Sequence, residues 1–98
     1  MSRNTGDLNT VLHEAAKVDD AKLVIELISQ GAEVNALGKN NETPLHMAAA
    51  RGHTALVVLL FNRGASIGTS SKGGKTPLFM AAYGGHEKNI RLLLRKVR

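Results

Sequence analysis

Cysteine is absent from this 98-residue chain, which excludes disulfides and thiolate metal sites. Tryptophan is absent too, and Phe61, Phe79 and Tyr83 are the only aromatics. A core must therefore be built from Ala, Leu, Val and Ile, which suits closely packed helices better than an aromatic-rich sandwich. Long apolar runs are missing: the longest, Ala55 to Phe61, falls far short of the roughly 20 residues that cross a bilayer. The opening Met1-Ser2-Arg3-Asn4-Thr5-Gly6-Asp7 lacks the apolar stretch of a secretory signal. These absences lead to the expectation of a cytoplasmic or nuclear protein with no membrane contact. Acidic residues become scarce along the chain. Residues 1–35 carry three basic against six acidic side chains, whereas residues 36–98 carry ten basic against two acidic, for a net charge of +5.

What is present repeats. Thr10-Val11-Leu12-His13, Thr43-Pro44-Leu45-His46 and Thr76-Pro77-Leu78-Phe79 begin 33 residues apart, twice. Residues 10–42 laid on 43–75 give eleven identities, and 43–65 on 76–98 give ten in twenty-three, too many for a chance alignment of short segments. Each unit reads as a Thr, a short helix with paired alanines, a break, a second apolar helix, and a loop.

The physics of the middle unit can be followed in order. Thr43 suits an N-cap, where its hydroxyl accepts an orphan backbone N–H. Pro44 follows at the first helical position, where a missing N–H costs nothing. Ala48 and Ala49 allow two helices close approach. Gly52 can take the left-handed conformation that ends the helix. Leu56, Val57, Leu60 and Phe61 form an apolar face on the second helix, and Gly64 ends it. Residues 66–75 have no helical period and are rich in Ser and Gly. Helices this short are marginal alone, so stacking against neighbouring units must supply the stability.

With Thr43-Pro44-Leu45-His46-Met47-Ala48-Ala49, Gly52-His53, Leu59-Leu60-Phe61 and Gly64-Ala65 at this period, the chain resembles the ankyrin-repeat family over residues 9–98. The resemblance implies an all-α solenoid of three stacked helix-turn-helix units with projecting loop fingers. It implies a concave surface made by the fingers and first helices. The expected organisation is an N-terminal tail over 1–8 and one repeat domain over 9–98, with units at about 9–41, 42–74 and 75–98. The first unit departs from the pattern: Val11 replaces Pro, Asp19-Asp20 replace Gly-His, and Glu26 stands where the middle unit has Leu59. Polar replacements suit an outer face meeting water. In the third unit Ile90, Leu93, Leu94 and Val97 are expected as the buried stripe, with Lys88, Arg91, Arg95 and Arg98 opposite. The cap-like ends favour a complete short array over a fragment.

Motifs that suggest chemistry have simpler explanations. Ser71-Lys72-Gly73-Gly74-Lys75-Thr76 looks like the end of a phosphate-binding loop, but that pattern needs glycine where Thr69 stands. The four histidines fall into repeat-equivalent pairs, His13 with His46 and His53 with His86, so they call for a repeat-level role. The resemblance implies hydrogen bonds from His46 to Thr43 and to backbone within and between units. No Cys or carboxylate cluster completes a metal site, and no cofactor is expected. No arrangement of Ser, His and Asp marks a catalytic triad, so no enzymatic activity is expected. Asn41-Glu42-Thr43 matches a glycosylation acceptor without a sign of secretion. Asn35 resembles the asparagine the family presents for hydroxylation, with a hydrogen-bonding role at the finger base as the plainer reading.

Stacking positions must repeat, whereas surface positions are free to differ. Those that differ most are Glu14, Lys17, Val18, Met47, Ala50, Arg51, Met80, Tyr83 and Gly84 on the first helices. On the fingers they are Leu37, Lys39, Asn40, Glu42, Ser70, Lys72, Gly73 and Lys75. The expected partner-binding set is Glu14, Lys17, Lys39, Asn40, Glu42, Met47, Arg51, Ser70, Lys72, Lys75, Met80 and Tyr83. In it Met47, Met80 and Tyr83 form an apolar centre rimmed by Arg51, Lys72 and Lys75. The leading expectation is a non-catalytic module that binds another protein. The alternative is weak binding of nucleic acid or another anionic surface through Lys88, Arg91, Arg95 and Arg98, which would depend steeply on salt. Head-to-tail self-association of the acidic first unit with the basic last unit is a further option.

Overall fold

The computed structural model describes residues 5–97. Six α-helices follow one another: α1 (Thr5–Lys17), α2 (Ala21–Ser29), α3 (Pro44–Ala50), α4 (Thr54–Asn62), α5 (Pro77–Gly84) and α6 (Glu87–Val97). One 3-10 turn, Lys39–Asn41, lies between α2 and α3, and the described residues contain no strand. The helices pair as α1 with α2, α3 with α4 and α5 with α6. The first helices of the pairs stack in the order α1, α3, α5, and α4 touches α6. The result is an elongated stack of 43 × 27 × 24 Å, the solenoid that the period implied.

Local sequence sets the helix ends. The Thr43 hydroxyl accepts the His46 N–H at 3.3 Å, and the Thr76 hydroxyl accepts the Phe79 N–H at 3.2 Å. Pro44 and Pro77 open α3 and α5. Gly52, at φ 75°, ends α3 in left-handed geometry, and Asp19 does the same after α1 at φ 62°. Asp20 then caps α2, its carboxylate accepting the Leu23 N–H at 3.1 Å. A single core runs through all three units: Leu12, Ala15, Ala16, Val24, Leu45, Ala48, Ala49, Leu56, Val57, Leu60, Ala81 and Leu93 are essentially inaccessible. The alanine pairs lie where first helices meet, and their small size permits the contact.

Two sequence expectations are corrected. Thr10 does not open a helix; it lies inside α1, and its hydroxyl donates to the Gly6 carbonyl at 3.0 Å. Val11 explains this. It keeps the N–H that proline lacks and avoids the clash a proline ring makes one turn back, so α1 continues to Thr5. Residues 5–8, assigned to the tail, are therefore helical. The second correction concerns α6, where Leu94 is 51% exposed instead of buried. Leu93 and Asn89 are fully buried there, with Ile90 and Leu92 half-buried. The side chain of Val97 and all of Arg98 lie outside the described residues.

Candidate functional site

Each finger hangs from the first-helix histidine of its own unit. His46 has no exposed surface. Its Nδ1 accepts the Thr43 backbone N–H at 3.0 Å and lies 2.8 Å from the Thr43 hydroxyl. That places the proton on Nε2, which donates to the Lys75 carbonyl at 2.8 Å. The bond ties the first helix of the middle unit to the base of the second finger. Burial pushes the His46 imidazole below its ordinary pKa, opposed by the bond to the Lys75 carbonyl and by the nearby charge of Glu42. One unit earlier, His13 Nε2 lies 2.8 Å from the Ala36 carbonyl and 3.0 Å from that of Glu42, the repeat equivalent of Lys75. His13 Nδ1 lies 2.7 Å from the Asn9 carbonyl.

The fingers share one backbone design. Gly38 N–H donates to the Glu42 carbonyl and Ser71 N–H to the Lys75 carbonyl, both at 2.8 Å. Between these bonds the chain needs two successive left-handed residues. Asn40 and Asn41 supply them in the first finger (φ 59° and 58°), Gly73 and Gly74 in the second (φ 94° and 77°). Asparagine and glycine are the residues that tolerate this geometry. The glycines that resemble the end of a phosphate-binding loop thus have a structural use. Lys72 N–H donates to the Asn40 carbonyl at 2.8 Å and joins the two fingers. Asn35 is a finger-base bridge: its Nδ2 donates to the Gly64 carbonyl at 3.1 Å, and its Oδ1 accepts the Ser66 N–H at 2.7 Å.

His53 and His86 face the other way. Their Nε2 atoms donate to the carbonyls of Lys17 (3.0 Å) and Ala50 (2.8 Å) in the preceding units. Among the described residues no cluster of His, Asp and Glu is arranged to hold a metal ion. No helix among them is long and apolar enough to cross a membrane.

In front of the first helices, under the first finger, lies an open groove of about 490 Å³. Thr10, His13, Glu14 and Lys17 of α1 line it together with Leu37 to Asn40 and Glu42 of the first finger, Met47 of α3 and Arg51, which caps that helix. The groove gathers Glu14, Lys17, Lys39, Asn40, Glu42, Met47 and Arg51 from the sequence-expected set. It does not include Ser70, Lys72, Lys75, Met80 or Tyr83. Ser70 and Lys72 are exposed on the second finger, and Met80 is half-buried on α5. Tyr83 is 86% exposed. It stacks on Phe79, with centroids 6.1 Å apart and planes at 19°. Lys75 Nζ lies 5.9 Å from the Phe79 ring centre. Of the expected apolar centre, Met47 lines the groove and Tyr83 belongs to an aromatic pair on α5.

Phe79, Asn9, Thr10 and Gly38 were absent from the expected set. Phe79 carried a signal, since it replaces a histidine that the other two units use internally. Of the basic stripe on α6, Arg91 is occupied by Glu87 at 2.6 Å, Lys88 and Arg95 are exposed, and Arg98 lies outside the described residues.

Comparison with known proteins yields one family: residues 12–98 match the model for ankyrin repeats in three copies. No curated protein matches the chain. Ankyrin repeats are in general protein–protein interaction modules and are typically non-catalytic. The 33-residue period, the threonine-capped first helices, the histidine-held fingers and this match over most of the sequence establish that the chain belongs to the ankyrin-repeat family.

Proposed function

We propose that this chain captures a partner protein through its concave face, with an extended segment of the partner lying in the groove between α1, the first finger and α3. The observation that carries the reading is the groove itself, whose walls join repeated residues such as Thr10 and His13 to positions that differ between units, among them Glu14, Lys17, Leu37, Glu42 and Arg51. Leu37 and Met47 provide apolar contact, and Lys17, Lys39 and Arg51 interleave with Glu14 and Glu42 around them. Such alternation favours a partner with matched charges over a uniformly charged polymer. Ser70, Lys72 and Met80 extend the same reading along the second finger and α5. The domain is taken as residues 9–98 preceded by the N-terminal segment, and the compartment as cytoplasm or nucleus.

The test is capture of a partner from the native host by the wild-type chain, followed by measurement of that partner against Met47→Glu/Arg51→Glu. Both side chains are partly accessible, so circular dichroism should show an unchanged fold. Loss of binding by about tenfold or more is expected for a pair at the centre of an interface. A purified partner that binds the double variant as tightly as wild type would refute the concave-face reading.

A further inference from the structure

His13 and His46 occupy the same repeat position but are bonded differently. His46 Nδ1 accepts the Thr43 N–H, so a single ring proton, on Nε2, satisfies both nitrogens. His13 has no such donor. Because α1 runs through position 10, the Thr10 N–H lies inside the helix, and the Thr10 hydroxyl donates to the Gly6 carbonyl. His13 Nδ1 faces the Asn9 carbonyl at 2.7 Å instead. Its Nε2 faces two more carbonyls, of Ala36 at 2.8 Å and of Glu42 at 3.0 Å. A carbonyl oxygen accepts and cannot donate, and a neutral imidazole carries one N–H. With one proton, therefore, one ring nitrogen sets its lone pair against an oxygen at 2.7 or 2.8 Å, which repels. Turning the ring over puts carbons in place of both nitrogens and forfeits all three contacts. The imidazolium, with two N–H donors, satisfies the geometry.

The ring meets the first finger directly. A Cβ at Gly38 would stand 2.9 Å from His13 Cδ2 and Nε2, whereas the second finger accommodates a buried Ser71 at the equivalent position. His13 is not sealed off either. It lines the groove and is 8% exposed, whereas His46 has no accessible surface, so its proton exchanges with solvent through the groove. The charged groups facing it are Glu14 and Lys17 of α1, Lys39 and Glu42 of the finger, and Arg51 after α3; α2 contributes none to the lining. No carboxylate among the described residues lies within ion-pairing distance of the His13 ring. Three backbone carbonyls, and not a counter-charge, call for the second proton.

We infer that His13 is a proton-operated latch on the first finger and through it regulates the concave groove. Charged, the ring donates to α1 through Nδ1 and to the finger through Nε2. When the Nε2 proton passes to solvent, the remaining N–H stays with the Asn9 carbonyl, which is fixed within the same helix. Nε2 then turns a lone pair on the Ala36 and Glu42 carbonyls. The finger moves off the ring, and the groove wall from Leu37 to Asn40 and Glu42 moves with it. The second finger does not respond, because the neutral His46 ring already satisfies its partners. That a partner feels this change rests on the concave-face reading; the latch itself does not.

The test is NMR on the whole chain at about pH 6 and about pH 8.5, on either side of the range where imidazole titrates. Nitrogen shifts of the His13 ring should show two N–H groups at the lower pH and one, on Nδ1, at the higher. Amide hydrogen exchange reads the finger. The Gly38 N–H, bonded to the Glu42 carbonyl, should lose about tenfold or more in protection at the higher pH relative to the Ser71 N–H, its counterpart on the Lys75 carbonyl. The ratio cancels the intrinsic pH dependence of exchange. Leu37 methyl signals should move with the same midpoint as the ring and report the groove wall. His13→Gln keeps one amide donor and does not titrate, so it should abolish all these changes while circular dichroism shows the fold intact. A His13 ring that is neutral at the lower pH would overturn the proposal, as would a constant ratio of Gly38 to Ser71 protection or unmoved Leu37 methyls. So would a pH response of the finger that survives in His13→Gln. None of these readouts needs a partner, so failure of the concave-face reading leaves them unchanged and the two fail separately.

Discussion

Replacing His46 by alanine tests whether the histidine links hold the stack together. The substitution removes the acceptor for the Thr43 N–H and the donor to the Lys75 carbonyl, at 3.0 and 2.8 Å. Thr43 has no accessible surface, so its N–H is left buried without a partner, at a cost of about 1–3 kcal/mol. Loss of the imidazole also leaves a cavity, which for a large-to-small change in a core adds about 2 kcal/mol or more. The sum is about 4 kcal/mol, a large share of the roughly 5–15 kcal/mol available to a small domain. Phe79→Ala supplies the internal control. It alters the same repeat position, but no backbone carbonyl is held there, the ring is half exposed, and the loss is one stacked contact worth about 1 kcal/mol. Urea titration followed at 222 nm should show the difference. With a slope of about 2 kcal/mol per molar, the midpoint falls by about 2 M for His46→Ala and by about 0.5 M for Phe79→Ala. Equal shifts, or a larger one for Phe79→Ala, would refute the claim that the buried, doubly bonded imidazole of His46 contributes more to stability than the half-exposed ring at the same repeat position.

Further outcomes follow from the same geometry. His46 is held below its ordinary pKa, so the unfolded chain takes up its proton first as pH falls. Its contribution to stability is complete above the unfolded value near 6.5 and declines below it. Between pH 7.5 and 5.5 the loss is at most about 1.4 kcal/mol, and His46→Gln should remove that part of the slope in urea titrations at the two pH values. An unchanged slope would contradict a neutral, buried imidazole. Asn89 is fully buried, its Nδ2 donates to the Ala49 carbonyl at 3.3 Å, and its Oδ1 has no partner. Asn89→Leu restores the residue type of Leu56 and should gain about 1 kcal/mol, raising Tm by about 4–8 °C in a thermal scan; a lower Tm would count against it. Gly84→Ala would ordinarily stabilise a helix by about 0.5–1 kcal/mol. Here the new Cβ would stand 2.7 Å from His86 Nε2 and 3.1 Å from the Ala50 carbonyl, so a loss of about 1–2 kcal/mol is expected from calorimetry.

The architecture was readable because its determinants are local and repeated. Thr-Pro pairs, alanine pairs and glycine breaks act within a few residues, and the period tells which faces must be alike. Thr10 was misread because an N-cap depends on what precedes it. With valine at position 11 nothing prevents the helix from continuing back through Leu8 and Asn9. Leu94 was misread because periodicity distinguishes apolar from polar faces of a helix, but not whether a neighbour covers the apolar one. The groove was only partly legible. Glu14, Lys17, Met47 and Arg51 follow from helix position, but the finger that completes the cleft is placed by His13 reaching 23 and 29 residues along the chain. Met80 and Tyr83 were grouped with Met47 from repeat position. The i, i+4 stacking of Tyr83 on Phe79 is a contact within one helix that repeat position does not reveal.

The two kinds of histidine link point in opposite directions along the stack. His13 and His46 reach toward the following finger, and His53 and His86 reach toward the preceding helix. The middle segment is consequently gripped from both flanks, whereas each outer segment is gripped from one. Thermal opening should then travel inward from the two extremities, and the centre should let go only together with everything else. A molecule arranged this way can have either extremity remodelled by an encounter without forfeiting the integrity of the whole.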